Sequence, residues 1–309
     1  MQKIYKKYFG ELMLVLSSLS YSFEWYFIRN LGENGYTSLE ITIGRSFLAS
    51  TIIGLFFFIF NKDFFKTSHI KNKDWLFLLI SGINVIIANL SFNTAIQKTS
   101  VANVLTIIYL SIFWGFILEI LIFKESVNFK KILYIFLAFI GITLTLTKKN
   151  NGFSMQFGTG EALSIVLSLI MAISVVLNKK MIHILPLFRI FISYSIASFF
   201  IVLFLIQKNG LEYFSIFFNR EFLIYTGLLT ITSAIMGRGL KDLGTNYVPI
   251  STVLVIMLLE PIAQMTSAYF MADEKLLPIN LIGVILTFSM VILISKKKEE
   301  KVAIKEPTN

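Results

Sequence analysis

The 309-residue sequence contains no cysteine, two histidines and five prolines. Without cysteine it has no disulfides and no thiolate metal sites. His69 and His183 stand far apart in the chain, and no HExxH, GxSxG, P-loop or EF-hand pattern accompanies them. An enzymatic reading therefore lacks a metal centre, a nucleophile with its base, and a nucleotide cradle, and no cofactor is implied. Charge is scarce as well: 15% of residues are charged, with 18 acids against 28 bases. Apolar side chains fill the space instead, at 56% of the chain including 31 phenylalanines, with a mean hydropathy of +0.75. That content exceeds what a water-soluble core can bury.

Crossing ~30 Å of hydrocarbon takes roughly 20 residues of helix. Ten apolar runs approach that length: Phe9–Ile28, Leu39–Phe60, Trp75–Ile96, Val101–Phe123, Ile132–Thr147, Gly158–Leu177, Leu187–Ile206, Phe222–Leu240, Tyr247–Met271 and Leu276–Ser295. Unpaired backbone groups are intolerable in lipid, so runs of this kind are expected as helices. The segment Lys3 to Lys7 followed by Leu12–Leu19 mimics a secretory signal, but its apolar run continues and nine more follow. It is expected to be an uncleaved first helix.

With a cytoplasmic N-terminus, 20 Lys and Arg residues fall on the cytoplasmic side and 7 on the other, with Arg45 left inside a span. This asymmetry fits the positive-inside rule with both termini cytoplasmic. It makes the net charge of +10 a topology signal rather than a nucleic-acid footprint. The partners implied are the lipid bilayer and a small solute, with no nucleic acid.

The chain also reads as five spans written twice. Gly10-Glu11 opens the first run and Gly160-Glu161 the sixth; Lys124-Glu125 closes the fourth and Asp273-Glu274 the ninth. An odd number of spans per repeat forces the second half to insert upside down, an arrangement of secondary transporters that places the site near the midplane. The expected fold is all-α, ten transmembrane helices in two inverted five-helix repeats. Residues 1–8 form a cytoplasmic N-terminus, 9–147 and 158–295 the repeats, 148–157 an external linker, and 296–309 a basic tail expected to be disordered.

At these residues the chain resembles the drug/metabolite transporter superfamily, specifically proteins with two EamA-type domains. The likeness rests on Gly44-Arg45-Ser46-Phe47-Leu48-Ala49, on Leu259-Glu260-Pro261, and on Glu125 and Glu274. It departs from the pattern where the first repeat has Ser111-Ile112 in place of Glu260-Pro261. The resemblance implies a central cavity lined by spans one to four and six to nine, with spans five and ten peripheral.

The polar residues inside the runs are the candidate site. Counting from Val248 at ~1.5 Å per residue, Glu260 lies ~18 Å along its helix, near the bilayer centre. A charge there costs at least ~2.5–3.5 kcal/mol, so it needs a partner or a function. Pro261 lacks a backbone N–H and strands the Met257 carbonyl, which predicts a kink. Glu24 and Arg45 lie at similar depth on neighbouring spans, either as a structural ion pair or with one partner exchanging onto substrate. Ser17, Tyr21 and Trp25 share a helical face with Glu24 and suit a cavity wall. Asn84, Asn89 and Asn93 either bind a polar solute or join helices. Tyr109 and Trp114 read as packing or lipid-facing residues, with stacking against a substrate as the alternative. Glu11, Glu119, Glu161, Arg238 and Lys241 sit near run ends, where snorkelling accounts for them.

The expected function is secondary transport of a small polar or amphipathic, amino-acid-like metabolite across a bacterial cytoplasmic membrane by alternating access. The resemblance favours export. A coupled proton acting through Glu260 is a candidate partner, as is a second copy of the chain in a homodimer. The alternatives are proton-coupled efflux of lipophilic cations, metabolite uptake, and a channel-like or structural membrane protein.

Overall fold

The computed structural model describes residues 2–65, 70–99, 101–124, 129–145, 158–209, 211–272 and 277–303. Glu125, Asp273 and Glu274, the linker and the last six residues lie outside them. Among the described residues, fourteen α-helices follow one another: α1 (Gln2–Tyr21), α2 (Glu24–Glu33), α3 (Ser38–Phe60), α4 (Asn72–Lys98), α5 (Val101–Ile108), α6 (Ser111–Phe123) and α7 (Phe129–Thr145). Then come α8 (Thr159–Lys180), α9 (Pro186–Asn209), α10 (Arg220–Leu229), α11 (Arg238–Thr245), α12 (Ile250–Ile256), α13 (Leu259–Ala272) and α14 (Pro278–Ala303). A π-helical stretch, Thr230–Gly237, joins α10 to α11. No strand occurs among the described residues.

Among the described residues, six helical stretches are long and apolar enough to cross a membrane: Ser38–Phe60, Asn72–Lys98, Asn103–Phe123, Thr159–Lys180, Pro186–Gln207 and Arg220–Thr245. Ile132–Leu144, Ile250–Gln264 and Pro278–Met290 are shorter apolar helices. Their outer faces carry large apolar side chains, such as Phe56, Phe58 and Phe60 on α3 and Phe199, Phe200 and Phe204 on α9. So large an exposed apolar surface belongs against lipid tails. The chain is a multi-pass membrane protein.

Where the sequence offers a cap, a helix starts there. Thr37 and Glu40 form a reciprocal capping box on α3, and the Asn219 side chain accepts from the amides of Glu221 and Phe222 at the start of α10. Pro186 and Pro278 are the first residues of α9 and α14, where a missing N–H costs no helical bond. Pro186, one residue before the apolar run Leu187–Ile206, is thus a helix start. Helix also extends into the two ends: α1 begins at Gln2, and α14 continues to Ala303 where disorder was expected from Lys296 onward. The Lys and Glu of that segment are good helix formers, which propagate a helix already nucleated.

Three of the expected spans are interrupted. The first breaks at Ser22–Phe23, the fourth at Tyr109–Leu110 and the ninth at Met257–Leu258. At the last break Pro261 has no N–H to give the Met257 carbonyl, which instead accepts from the Glu260 amide at 3.0 Å. Such tightened turns re-satisfy backbone where a helix lines a cavity.

Helix starts recur along the chain. Ser38 and Pro186 are 148 residues apart, as are Asn72 and Arg220, while Phe129 and Pro278 are 149 apart. Two of these recurring pairs pack together, α3 against α9 and α7 against α14, while α6 lies against α12, α1 on α11 and α4 on α8. Close approach is bought with small residues. A Cβ on Gly244 would lie 2.8 Å from the Gly10 carbonyl oxygen, and one on Gly10 would lie 2.7 Å from the Tyr247 Cβ.

Candidate functional site

The three helix breaks and the π stretch surround one internal cavity. Its wall includes Tyr21, Glu24, Arg45, Asn84, Asn89, Ser174, Tyr194, Arg238, Lys241 and Glu260, with apolar patches from Phe92, Leu105, Leu167 and Met257. It encloses about 110 Å³ reachable by the centre of a water-sized sphere. One water requires ~10–15 Å³ on that measure, so there is space for several waters or a small solute. Neither α7 nor α14 contributes to the wall.

Glu24 opens α2 just past the break in the first span and meets Arg45 from α3. Arg45 Nη1 donates to Glu24 Oε1 at 2.6 Å, and both side chains are buried. Two charges in so dry a place hold each other; removing either leaves the other uncompensated. Glu260 is the second residue of α13, two residues past the break in the ninth span, 7% exposed, and accepts from Gln264 Nε2 at 3.1 Å. The same amide nitrogen is 3.4 Å from the Tyr21 carbonyl, so Gln264 links the broken ninth span to the broken first.

The structure thus brings Glu260, Glu24, Arg45, Tyr21, Asn84 and Asn89 to one cavity. It places Ser17, Trp25 and Asn93 outside the wall, each in a bond between helices. Ser17 Oγ donates to the Gly237 carbonyl at 2.7 Å, Trp25 Nε1 to Ser267 Oγ at 3.3 Å, and Asn93 Nδ2 to Thr42 Oγ1 at 3.0 Å. For Trp25 the reason is the break at Ser22–Phe23, which resets the helical phase between Tyr21 and Glu24; a stripe drawn on an unbroken helix does not survive it. Ser17 and Asn93 each lie a turn along their own helix from the lining residues Tyr21 and Asn89. Asn84 Nδ2 reaches the Ile170 carbonyl at 3.3 Å, and Asn89 Nδ2 finds no protein acceptor among the described residues. Pro261 is buried behind the wall, three residues after the interruption at Leu258.

Arg238 and Lys241 are the residues that sequence reasoning misplaced. Hydropathy falls off at Leu240, so both read as end-of-span snorkelling cations. The helix in fact continues to Thr245, and the π stretch before Arg238 turns both side chains inward. Arg238 Nη2 is 3.2 Å from Ser81 Oγ, its guanidinium lies 5.3 Å from the Tyr194 ring centroid, and Nε stands 3.9 Å from Asp242 Oδ2. Lys241 Nζ lies 5.7 Å from the Tyr21 ring centroid. Behind this wall Asp242 accepts from Asn178 Nδ2. Arg189, fully buried, donates to the carbonyls of Asn178 at 2.7 Å and Asp242 at 3.3 Å. Three of the cations counted as cytoplasmic are therefore interior, which leaves 17 against 7. The asymmetry persists.

Tyr109 packs inside the protein, buried at the break in the fourth span, and donates its hydroxyl to the Met257 carbonyl at 3.3 Å. Glu161 does not snorkel: it accepts from the Gly158 amide at 3.1 Å and from the Thr99 hydroxyl, fastening the start of α8 to the end of α4.

Residues 8–147 match the EamA-like transporter family. A relative from Synechocystis sp. (strain ATCC 27184 / PCC 6803 / Kazusa), named "Uncharacterized transporter sll1164", is 26% identical over 260 residues, covering 76% of this chain and 72% of the relative. A solved crystal structure superposes with a TM-score of 0.73 at 12% identity, covering 94% of this chain and 98% of that one. At that identity the likeness shows the fold alone.

Proposed function

The chain belongs to the EamA-like transporter family, and on that premise we propose that it is a secondary carrier in a bacterial cytoplasmic membrane. It moves a small polar or amphipathic, amino-acid-like metabolite outward by alternating access between two inverted five-helix halves. The observation that carries this reading is the cavity, where broken helices from both halves meet around Glu24, Arg45 and Glu260. Interrupted helices facing a polar cavity are how carriers expose backbone and charge to a solute within the bilayer.

Helix pairing supports the inverted halves. A two-fold operation exchanging the halves maps the α3–α9 and α7–α14 pairs onto themselves and exchanges α1–α11 with α8–α4. Five spans per half make that axis lie in the membrane plane. The capped junction of Glu161 with Thr99 and the glycine contact of Gly10 with Gly244 sit at corresponding crossings of the two halves.

Glu260 is the group through which a coupled proton acts. Efflux of lipophilic cations would use the same carboxylate, but three cationic side chains on the wall disfavour a cationic guest. Counterflow in proteoliposomes, loaded with a mixture of amino acids and sampled with labelled ones, tests the carrier reading. Flux that saturates and accelerates with solute on the far side is expected; a non-saturating conductance would make the protein a pore.

A further inference from the structure

The lining of the cavity is unbalanced in charge and in hydrogen-bonding character. Three cations, Arg45, Arg238 and Lys241, face it with two carboxylates, Glu24 and Glu260. Glu24 is engaged by Arg45 at 2.6 Å. Glu260 accepts from Gln264. Arg238 has Asp242 only at 3.9 Å, behind the wall. Around Lys241, no described residue forms a hydrogen bond or ion pair with Nζ; its near neighbour is the Tyr21 ring.

The unmatched buried atoms have the same bias. On the residues that line this cavity, those without a protein partner are Arg45 Nε and Asn89 Nδ2, both donors. Donors and ammonium groups held away from bulk water require acceptors. The π stretch Thr230–Gly237 immediately precedes Arg238, and π stretches in helices concentrate at functional sites because they re-aim the following side chains. Here the side chains re-aimed are two cations three residues apart, on one helical face.

We propose that Arg238 and Lys241 form an anion subsite in this cavity, and that a carboxylate group of the solute docks there. The inference rests on the carrier reading for the word solute, but the subsite itself does not depend on transport. The charge of that group matches the lining, whose three cations exceed its two carboxylates by one. A carboxylate brings four acceptor positions to the orphaned donors.

The absence of native cysteine allows a test that needs no known substrate. In the full-length protein, Ser174→Cys places a single thiol on the cavity wall. Its modification rates by anionic 2-sulfonatoethyl methanethiosulfonate and cationic 2-trimethylammonioethyl methanethiosulfonate are compared, each divided by that reagent's rate with a free small thiol. A nearby net positive charge should favour the anionic reagent by roughly tenfold. Adding Lys241→Gln or Arg238→Gln should erase most of that preference, and Lys241→Arg should keep it. Size-exclusion profiles of each variant identify any that fails to fold, and Lys241→Arg then carries the comparison with the parent. Equal or inverted preference in the parent, a preference indifferent to both Gln variants, or a folded parent closed to both reagents would overturn the proposal. Saturable counterflow with an inverted preference would retain the carrier and reject the subsite.

Discussion

Tyr109 donates its hydroxyl to the Met257 carbonyl at 3.3 Å, so the break in the fourth span is bonded to the break in the ninth, 148 residues along the chain. The carbonyl is the one Pro261 would otherwise strand. A residue in one half thus satisfies a backbone defect in the other.

Tyr109→Phe removes this bond with little change in volume. Because the Glu260 amide still reaches the Met257 oxygen at 3.0 Å, the cost should be near the low end for a buried bond, about 1 kcal/mol. The expected readout is a lowered apparent Tm of the detergent-solubilised protein, with insertion unchanged. An unaltered Tm would mean that the bond does not tie the halves together.

Glu24 and Arg45 should show strong coupling. Replacing either alone, as Glu24→Gln or Arg45→Gln, leaves a buried charge without its partner, at about 3–5 kcal/mol. The double variant should lose less than the sum of the two. Thermal stability of the four proteins in a double-mutant cycle checks this, and strictly additive losses would show that the two do not interact.

Gly244→Ala should separate α1 from α11. Its new Cβ would fall 2.8 Å from the Gly10 oxygen and 2.8 Å from Leu14 Cγ. Overpacking of this kind costs about 1–3 kcal/mol, and it falls at a helix crossing beside the cavity. A lower apparent Tm and slower counterflow are expected; wild-type values for both would show that this crossing has slack.

The topology follows from the basic residues that remain outside the core. Single cysteines at Lys71 and at Asn151 should be labelled by impermeant reagents from opposite sides, the first from the cytoplasm only. Labelling of both from one side would contradict two inverted halves of five spans.

The legible features were those that act over a whole helix. Hydropathy located the apolar helices, and the Glu-Pro pair at Glu260 drew attention to the region where the ninth span is interrupted. What the sequence hid was helical phase. Nothing at Ser22–Phe23 or Tyr109–Leu110 resembles a proline break, yet each interruption changes which neighbours share a face, and the first leaves Trp25 off the wall that holds Tyr21 and Glu24. A π stretch has no sequence signature either. It converts Arg238 and Lys241, which look like end-of-span cations, into lining residues, and their support from Asp242, Asn178 and Arg189 arises from three different helices. Such clusters are tertiary and leave no local pattern.

Glu260→Gln in proteoliposomes, with the solute found by counterflow, measures the central claim most directly. If this carboxylate carries the coupled proton within an alternating-access cavity, the variant should be folded and inserted and should keep downhill exchange. It should fail to concentrate solute against a gradient, and its exchange should no longer vary with pH. Wild-type concentrative transport with unchanged pH dependence in Glu260→Gln would contradict the account, reducing Glu260 to a hydrogen-bonding strut between α13 and its neighbours.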